Sequence, residues 1–275
     1  MLATRLLTVF VAAASLIPFS LYTSDWGFAA LAALLCGLVL WEWLSLTSIG
    51  ASMRWLVLSV WAGLVVGVLL DPWLIQTPWA IGLVVWVGLV WLLYVPYGLF
   101  RVRTANGPTA AITSAWLMLG TWVAIWLSRE QSLGFMVSLF ALVWIADTAA
   151  YFGGRALGRH KLAPRISPGK TWEGVFTAVL ANLVYLWLAA EFWFASYPQV
   201  LVDEFGLIGA TLVVVLLTAV SVMGDLHQSL LKRQAGVKDS GHLLPGHGGF
   251  FDRFDALIAV TPVAWAVLLV ADRLR

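Results

Sequence analysis

The stretch LIGATLVVVLLTAVSVM, residues 207–223, carries no charged side chain, and it runs directly into the polar stretch GDLHQSLLKR, residues 224–233. An apolar run of this length is close to what a helix needs to cross about 30 Å of hydrocarbon. Inside a bilayer, only helices and closed barrels satisfy their own backbone hydrogen bonds. Because the run is continuous rather than alternating, it predicts a membrane helix that emerges into a polar segment.

The composition of the whole chain agrees with this interpretation. The chain has 275 residues, of which 61% are hydrophobic and 11% charged, and its mean hydropathy is +0.92. Soluble domains carry about 25% charged residues, so this chain has too few charges to cover a globule in water. The composition therefore excludes a soluble domain and a disordered chain.

The apolar runs predict the fold class, which is all-α: a polytopic transmembrane bundle of about nine spans. The first run follows Arg5 and resembles a signal peptide, but it has no clear cleavage site after it, so we interpret it as a retained helix. The predicted spans are Leu6–Tyr22, Phe28–Leu46, Trp55–Leu70, Trp79–Val95, Thr109–Leu127, Leu133–Phe152, Val175–Ser196, Leu207–Met223 and Ala256–Ala271.

The basic residues predict the orientation of these spans. Thirteen of the 16 Lys and Arg residues fall at the N-terminus or in the loops after even-numbered spans, and three fall on the other side. The positive-inside rule then places the N-terminus and the even-numbered loops in the cytoplasm. We expect a multi-pass protein of the inner, cytoplasmic membrane with its active site at the cytoplasmic face. The three exceptions are Arg129, Arg273 and Arg275.

The chain divides by content rather than into separate globular domains. Residues 1–140 form N-terminal transmembrane helices without a specific motif, and residues 141–275 form a C-terminal region with two long polar loops, 153–173 and 225–255. The connection around Tyr197–Phe205 is predicted to be a modest loop on the opposite, extracytoplasmic side. We therefore expect a single integral membrane unit whose chemistry lies in the two polar loops.

The second polar loop has the residues that phosphate chemistry requires. Asp225, Ser229 and Lys232 have helical spacing and share one face; Gly236 offers a helix stop. Aspartates at fixed spacing bind Mg²⁺ and leave coordination positions for substrate phosphates. Lysine and arginine neutralise the remaining phosphate charge. The alternative is a solvated loop with ordinary salt bridges.

The same loop continues through a glycine-rich turn at Gly246–Gly249 and ends in Asp252-Arg253-Phe254-Asp255. Glycines allow backbone N–H groups to approach an anion closely. Asp252 and Asp255 are spaced to share one helical face. The loop therefore predicts a second set of anion and cation ligands beside the first.

The first polar loop is preceded by Asp147, an ionisable residue within a predicted span and thus a functional candidate by default. Its structural alternative is a salt bridge within the bundle. The small residues Ala146, Ala150 and Gly154 predict close helix packing. The loop itself ends in SPGKTWEG, residues 167–174, which supplies further candidate phosphate ligands.

The segment from Ser229 to Asp255 resembles the signature of phosphatidate cytidylyltransferases, also called CDP-diacylglycerol synthases, without departure. The matched pattern is S-x-x-K-R-x4-K-D-x-G-x-x-L-P-x-H-G-G-x-x-D-R-x-D. Residues 167–174 are similar to a second block of the family, in which a lysine commonly stands at the position of Gly169. The resemblance implies that one phosphate contact is either absent or supplied by Arg165.

The resemblance implies a reaction in which CTP and phosphatidic acid give CDP-diacylglycerol and pyrophosphate. It implies Mg²⁺, with a second cation left open, and no nucleic acid partner; membrane lipid surrounds the chain and a homodimer is left open. The alternatives are a CTP-dependent lipid-alcohol kinase, an ether-lipid cytidylyltransferase and, from another class, a transporter. The candidate catalytic residues are Lys232, Arg233, Lys238, Asp239 and Asp147; the substrate-binding candidates are Ser167, Lys170, Thr171, Glu173, Ser229, His247, Gly248, Gly249 and Arg253; and the metal candidates are Asp225, Asp252 and Asp255.

Overall fold

The computed structural model of this chain describes residues 23–241, 243 and 248–273. Of its residues, 81% are helical, which confirms the all-α prediction. The helices are α1 (Asp25–Ser45), α2 (Ala51–Leu70), α3 (Pro78–Arg101), α4 (Gly107–Gln131), α5 (Leu133–Leu157), α6 (Trp172–Phe192), α7 (Tyr197–Gln234), α8 (Phe251–Phe254) and α9 (Leu257–Arg273), with a 3-10 turn at Pro72–Gln76, a π-helical turn at Val90–Tyr94 within α3, and two antiparallel strands, β1 (Lys161–Ala163) and β2 (Ser167–Thr171).

Seven of the described helices, α1 to α7, are long and apolar enough to cross a membrane. They correspond to the second to eighth predicted spans. The ninth predicted span corresponds to the shorter apolar stretch Leu257–Ala271 of α9. The first, Leu6–Tyr22, lies outside the described residues. The chain is thus a multi-pass membrane protein.

The shorter helix α9 lies at the centre of the bundle. Its residues Ala259, Val260, Val263 and Ala264 are completely buried, as expected for a helix that is apolar on every side. The segment just before α9 approaches α7 closely. A Cβ on Gly224 would lie 2.6 Å from the backbone carbonyl oxygen of Asp255. This contact brings the polar end of α7 against the segment that connects α8 to α9.

Helices α5 and α6 pack closely through small residues, as their sequence predicts. A Cβ on Gly174 would lie 2.8 Å from the Ala150 carbonyl oxygen and 3.4 Å from the Gly154 Cα. One helix further on, Asn182 of α6 donates a hydrogen bond of 2.9 Å to Thr218 of α7. Small interfacial residues and interhelical hydrogen bonds are the usual means of association in a bilayer, and here they hold α5, α6 and α7 together.

The prediction of a loop around Tyr197–Phe205 is wrong: this segment is helical and forms the first turns of α7. The Ser196 hydroxyl accepts a hydrogen bond from Gln199 N and caps the helix, and Tyr197 is completely buried. Gly206, with φ +67°, then breaks the helix before the apolar run. At the other end α7 stops at Gln234 and Gly236 takes φ +72°, which confirms the predicted helix stop.

Contacts between connecting segments group them by bundle end as the basic residues predict. Ser48 N donates to Asn106 Oδ1 over 2.7 Å, which joins the connections after α1 and α3. At the opposite end, Arg129 lies 3.7 Å from Asp25. The highly charged segments therefore share one end of the bundle, whereas its cytoplasmic location stays a prediction.

Candidate active site

The first polar loop is an ordered hairpin that delivers a lysine to α7. Lys161 of β1 pairs with Thr171 of β2. Ile166, at the turn, is buried against Leu226 and Leu230 of α7. This small apolar cluster docks the hairpin on the helix. The two polar loops, separate in the sequence, therefore form one surface.

The hairpin and α7 meet in an ion pair between the two sequence blocks. The Lys170 ammonium lies 2.7 Å from Asp225 Oδ2, and Ser229 Oγ lies 3.3 Å from the other oxygen of the same carboxylate. Lys170 comes from the shorter block, and Asp225 lies on α7 one helical turn before Ser229, where the longer block begins. The predicted helical face of Asp225 and Ser229 is confirmed.

Asp147, Asp225 and Asp255 lie close enough to one another and to Lys170 for their charges to interact, and they are called here the carboxylate cluster. Burial raises the pKa of Asp255 well above its usual value, and the negative charges of Asp225 and Asp147 raise it further, whereas Lys170 lowers it. The Asp255 carboxyl therefore tends to keep its proton, and a cation bound beside it would favour the ionised form.

The fourth predicted carboxylate, Asp252, lies in a separate hydrogen-bond network. Its Oδ1 accepts from Lys232 Nζ at 2.7 Å and from Gln228 Nε2 at 2.9 Å. Its Oδ2 accepts from Ser240 N at 2.9 Å, Ser240 Oγ at 3.0 Å and Gly249 N at 3.0 Å. Burial alone would raise the pKa of Asp252, but the hydrogen bonds and the charge of Lys232 outweigh it and lower that pKa.

Glu42 completes this network, and the sequence analysis missed it. It lies on α1, is only 2% exposed, and accepts hydrogen bonds from Ser240 Oγ at 2.8 Å, Phe250 N at 3.1 Å and Phe251 N at 2.9 Å. The signal that singled out Asp147, an acidic residue within an apolar span, applies equally to Glu42. Gln228 and Ser240 had no comparable signal.

The remaining candidates of the hairpin have local partners. Ser167 pairs with Ala163 across the two strands. The Thr171 hydroxyl accepts a hydrogen bond from Gly174 N and caps α6. Glu173 contacts the His160 ring nitrogen Nδ1 at 2.6 Å. These contacts fix the hairpin that carries Lys170.

The cationic candidates at the end of α7 and beyond are more open to solvent. Arg233 is exposed, and its Nε donates to the Ile166 carbonyl over 3.5 Å. Lys238 and Asp239 are exposed and make no ion pair within the described part of the chain. Arg253 is exposed as well. The exposed cations flank the hairpin and the Asp252 network.

The glycine-rich turn is only partly described. Gly248 takes φ +80°, a left-handed conformation that favours glycine, and its backbone lies beside the Asp252 carboxylate. Gly249 uses its N–H for Asp252, as given above, and not for an open anion site. His247 lies outside the described residues.

The carboxylate cluster is the part of the site that suits a hard divalent cation. In the described ranges, no group of three or more His, Cys, Asp and Glu side chains is placed to hold a metal ion. Mg²⁺ usually takes one or two protein carboxylates, with water and substrate phosphates completing its coordination. One or two carboxylates of the cluster are therefore the donors that such an ion could use.

Comparison with known proteins agrees with this chemistry. The phosphatidate cytidylyltransferase of Haemophilus influenzae is 39% identical over 191 residues, covering 66% of this chain and 65% of the relative. The Pseudomonas aeruginosa protein of the same name is 42% identical, covering 56% of this chain and 55% of the relative. The Brucella suis protein is 46% identical, covering 50% of this chain and 49% of the relative.

The chain thus spans less than two thirds of the length of these curated relatives. The model of the Cytidylyltransferase family, in contrast, matches residues 3–271, nearly the whole chain. The matched range includes the hairpin, the carboxylate cluster and the Asp252 network. This chain belongs to the cytidylyltransferase family.

Proposed function

We propose that this chain transfers CMP from CTP to phosphatidic acid, forming CDP-diacylglycerol and pyrophosphate in phospholipid biosynthesis. The observation that carries the proposal is the Lys170–Asp225 ion pair, because it joins the shorter sequence block to α7, the helix on which the longer block begins. The relatives named above are phosphatidate cytidylyltransferases. Their name and this geometry support the same chemistry.

The reaction requires little acid–base help from the protein. A phosphate oxygen of phosphatidic acid attacks the α-phosphorus of CTP, forming one P–O bond, and the bond from that phosphorus to the bridging oxygen of the β-phosphate breaks. The electron pair leaves with pyrophosphate. Because both reactants are anions near neutral pH, the main tasks of the site are to align them and to reduce their repulsion.

The basic side chains reduce the repulsion between the two anionic reactants. Lys170 comes from the hairpin, and Lys232 and Arg233 come from the end of α7. Each ammonium is now held by an aspartate, Lys170 by Asp225 and Lys232 by Asp252. These pairs orient the two lysines toward the site, where they can bind phosphate oxygens and stabilise the pyrophosphate leaving group.

The carboxylates would hold Mg²⁺. Asp225 and Asp255 would be its ligands in the cluster, and Asp147 lies close enough to add its charge. Asp252 becomes available as a ligand when Lys232 turns to the substrate phosphates, since both of its oxygens are otherwise engaged. When bound, Mg²⁺ neutralises phosphate charge and acts as a Lewis acid at the reacting phosphorus. A second cation has no further support.

The membrane location follows from the same site. Phosphatidic acid keeps its acyl chains in the bilayer, and the site lies at the bundle end that carries most of the basic residues. By the positive-inside rule this end faces the cytoplasm, where CTP is present. We therefore place the active site at the cytoplasmic face of the inner membrane.

The test is incubation of the purified chain with Mg²⁺, phosphatidic acid and CTP labelled at either the α- or the γ-phosphate. We expect the α-label in the lipid fraction and the γ-label in pyrophosphate, with Asp225→Asn as the matched inactive preparation. Entry of the γ-label into the lipid of a diacylglycerol or polyprenol incubation would instead identify a kinase. Absence of lipid labelling from either nucleotide would reject the proposal.

A further inference from the structure

The buried carboxylate of Glu42 offers an inference about the half of the chain that lacks a motif. Glu42 lies three residues before the end of α1, an otherwise apolar span. A carboxylate at such a depth is costly unless its oxygens are hydrogen-bonded. Both oxygens of Glu42 are bonded, and all the donors come from residues 240–251, about 200 positions later in the chain.

We propose that Glu42 is a positioning residue that holds the two described ends of the glycine-rich loop, Ser240–Gly241 and Gly249–Phe251, in place beside Asp252. The proposal rests on the cytidylyltransferase activity proposed above. Glu42 does not reach the carboxylate cluster and donates nothing to a reacting atom. It acts through Ser240, whose N–H and hydroxyl also contact Asp252, the residue that orients Lys232.

The shape of the loop around Glu42 supports this role. A Cβ added to Gly241 or to Gly249 would overlap the Glu42 carboxylate. The two glycines of the signature thus make room for a carboxylate from α1. Next to Glu42, Trp43 stacks on Phe251 with ring centroids 4.9 Å apart. The two described ends of the loop therefore pack against the end of α1.

The hydroxyl of Ser240 links the two carboxylates. It lies 2.8 Å from Glu42 Oε2 and 3.0 Å from Asp252 Oδ2, yet it has one proton to donate. A change at Glu42 therefore redistributes the hydrogen bonds at Asp252, and through them the position of Lys232. This coupling predicts that substitutions at Glu42 and Ser240 are not additive.

The experiment compares Glu42→Gln, which keeps the size of the side chain, with Glu42→Ala. The matched control is Glu130→Gln, an exposed carboxylate at the end of α4 without contact to the loop. Loop mobility is read from a nitroxide on Leu243→Cys in a Cys36→Ala background, since Leu243 is 47% exposed. Turnover and the KM for CTP are measured on unlabelled protein that is monodisperse after extraction.

We expect Glu42→Gln to lower kcat about tenfold or more, because hydrogen bonds to a charged group are lost. The nitroxide at position 243 should become more mobile, and the thermal midpoint of the protein should stay unchanged. A double substitution with Ser240→Ala should add little to that loss. Glu42→Gln with the label mobility and turnover of Glu130→Gln would overturn the proposal. If the unsubstituted chain makes no CDP-diacylglycerol, the proposed function fails, and the label still decides whether Glu42 holds the loop.

Discussion

Replacing Asp252 with Asn should strongly impair turnover. The size of the effect can be worked out from the hydrogen bonds that the Asp252 carboxylate accepts. Asn offers one acceptor oxygen in place of two, and its NH₂ group must then face either Lys232 and Gln228 or the backbone donors on the other side. The side chains of Lys232 and Asp252 are 16% and 11% exposed. Breaking a fully buried pair costs about 3–5 kcal/mol of stability. We expect this partly exposed pair to contribute about 2–3 kcal/mol to holding Lys232 in place for the transition state, so its loss should lower the rate about 30- to 150-fold.

The assay is CMP transfer to phosphatidic acid over a Mg²⁺ titration, with Asp252→Asn, Asp225→Asn and, for comparison, Asp239→Asn at the exposed catalytic candidate. Asp239 is an exposed carboxylate without an ion pair among the described residues, so its loss should cost at most about 1 kcal/mol. Asp225→Asn should also nearly abolish turnover, because Asn lacks the charge that Mg²⁺ requires. Near-wild-type turnover of monodisperse Asp252→Asn would refute the network as a functional element, and the same result for Asp225→Asn would refute the metal assignment.

Two further predictions concern orientation and loop packing. In a Cys36→Ala background, an impermeant maleimide added to intact cells should label Asp203→Cys directly but Leu243→Cys only after permeabilisation; the reverse pattern would invert the topology. The Cβ introduced by Gly249→Ala would overlap Glu42 and the Ser240 hydroxyl. Because overpacking of a full site costs about 1–3 kcal/mol, this substitution should lower turnover about tenfold or more. Gly169→Ala is the control, since its Cβ would meet nothing within 4 Å, and equal activity of the two variants would contradict the packing argument.

The sequence predicted the spans well because hydropathy reports the property that a bilayer selects. The same property explains the error at Tyr197–Phe205, where polar residues interrupt the apolar run. That segment is helical because Ser196 caps it and because Tyr197 is buried against Phe135, with ring centroids 5.4 Å apart. Neither cause is visible in hydropathy, since both depend on a partner elsewhere.

The site was predictable to the extent that its residues lie close together in the sequence. Helical spacing predicted that Asp225 and Ser229 share a face, and they do. Pairing across distant segments was not predictable: Lys170 with Asp225, and Glu42 with Ser240. The sequence predicted Asp252 as a metal ligand beside Asp225 and Asp255, and this stays a prediction; its separation from the carboxylate cluster depends on contacts with Ser240 and Gly249 that spacing alone does not reveal.

The carboxylate cluster and the Asp252 network each include a residue of α7. Their order along this helix limits the shape of the substrate that can contact both. Asp225 of the carboxylate cluster and Lys232 of the Asp252 network are seven residues apart on α7, a rise of about 10 Å at 1.5 Å per residue. The sites for cations and for anionic oxygens therefore follow each other along the helix rather than surrounding one point. An extended polyanion is the ligand that contacts both groups at once. The triphosphate of CTP with the phosphate of the lipid in line is such a ligand, whereas a single phosphate monoester would leave one of the two groups without a partner.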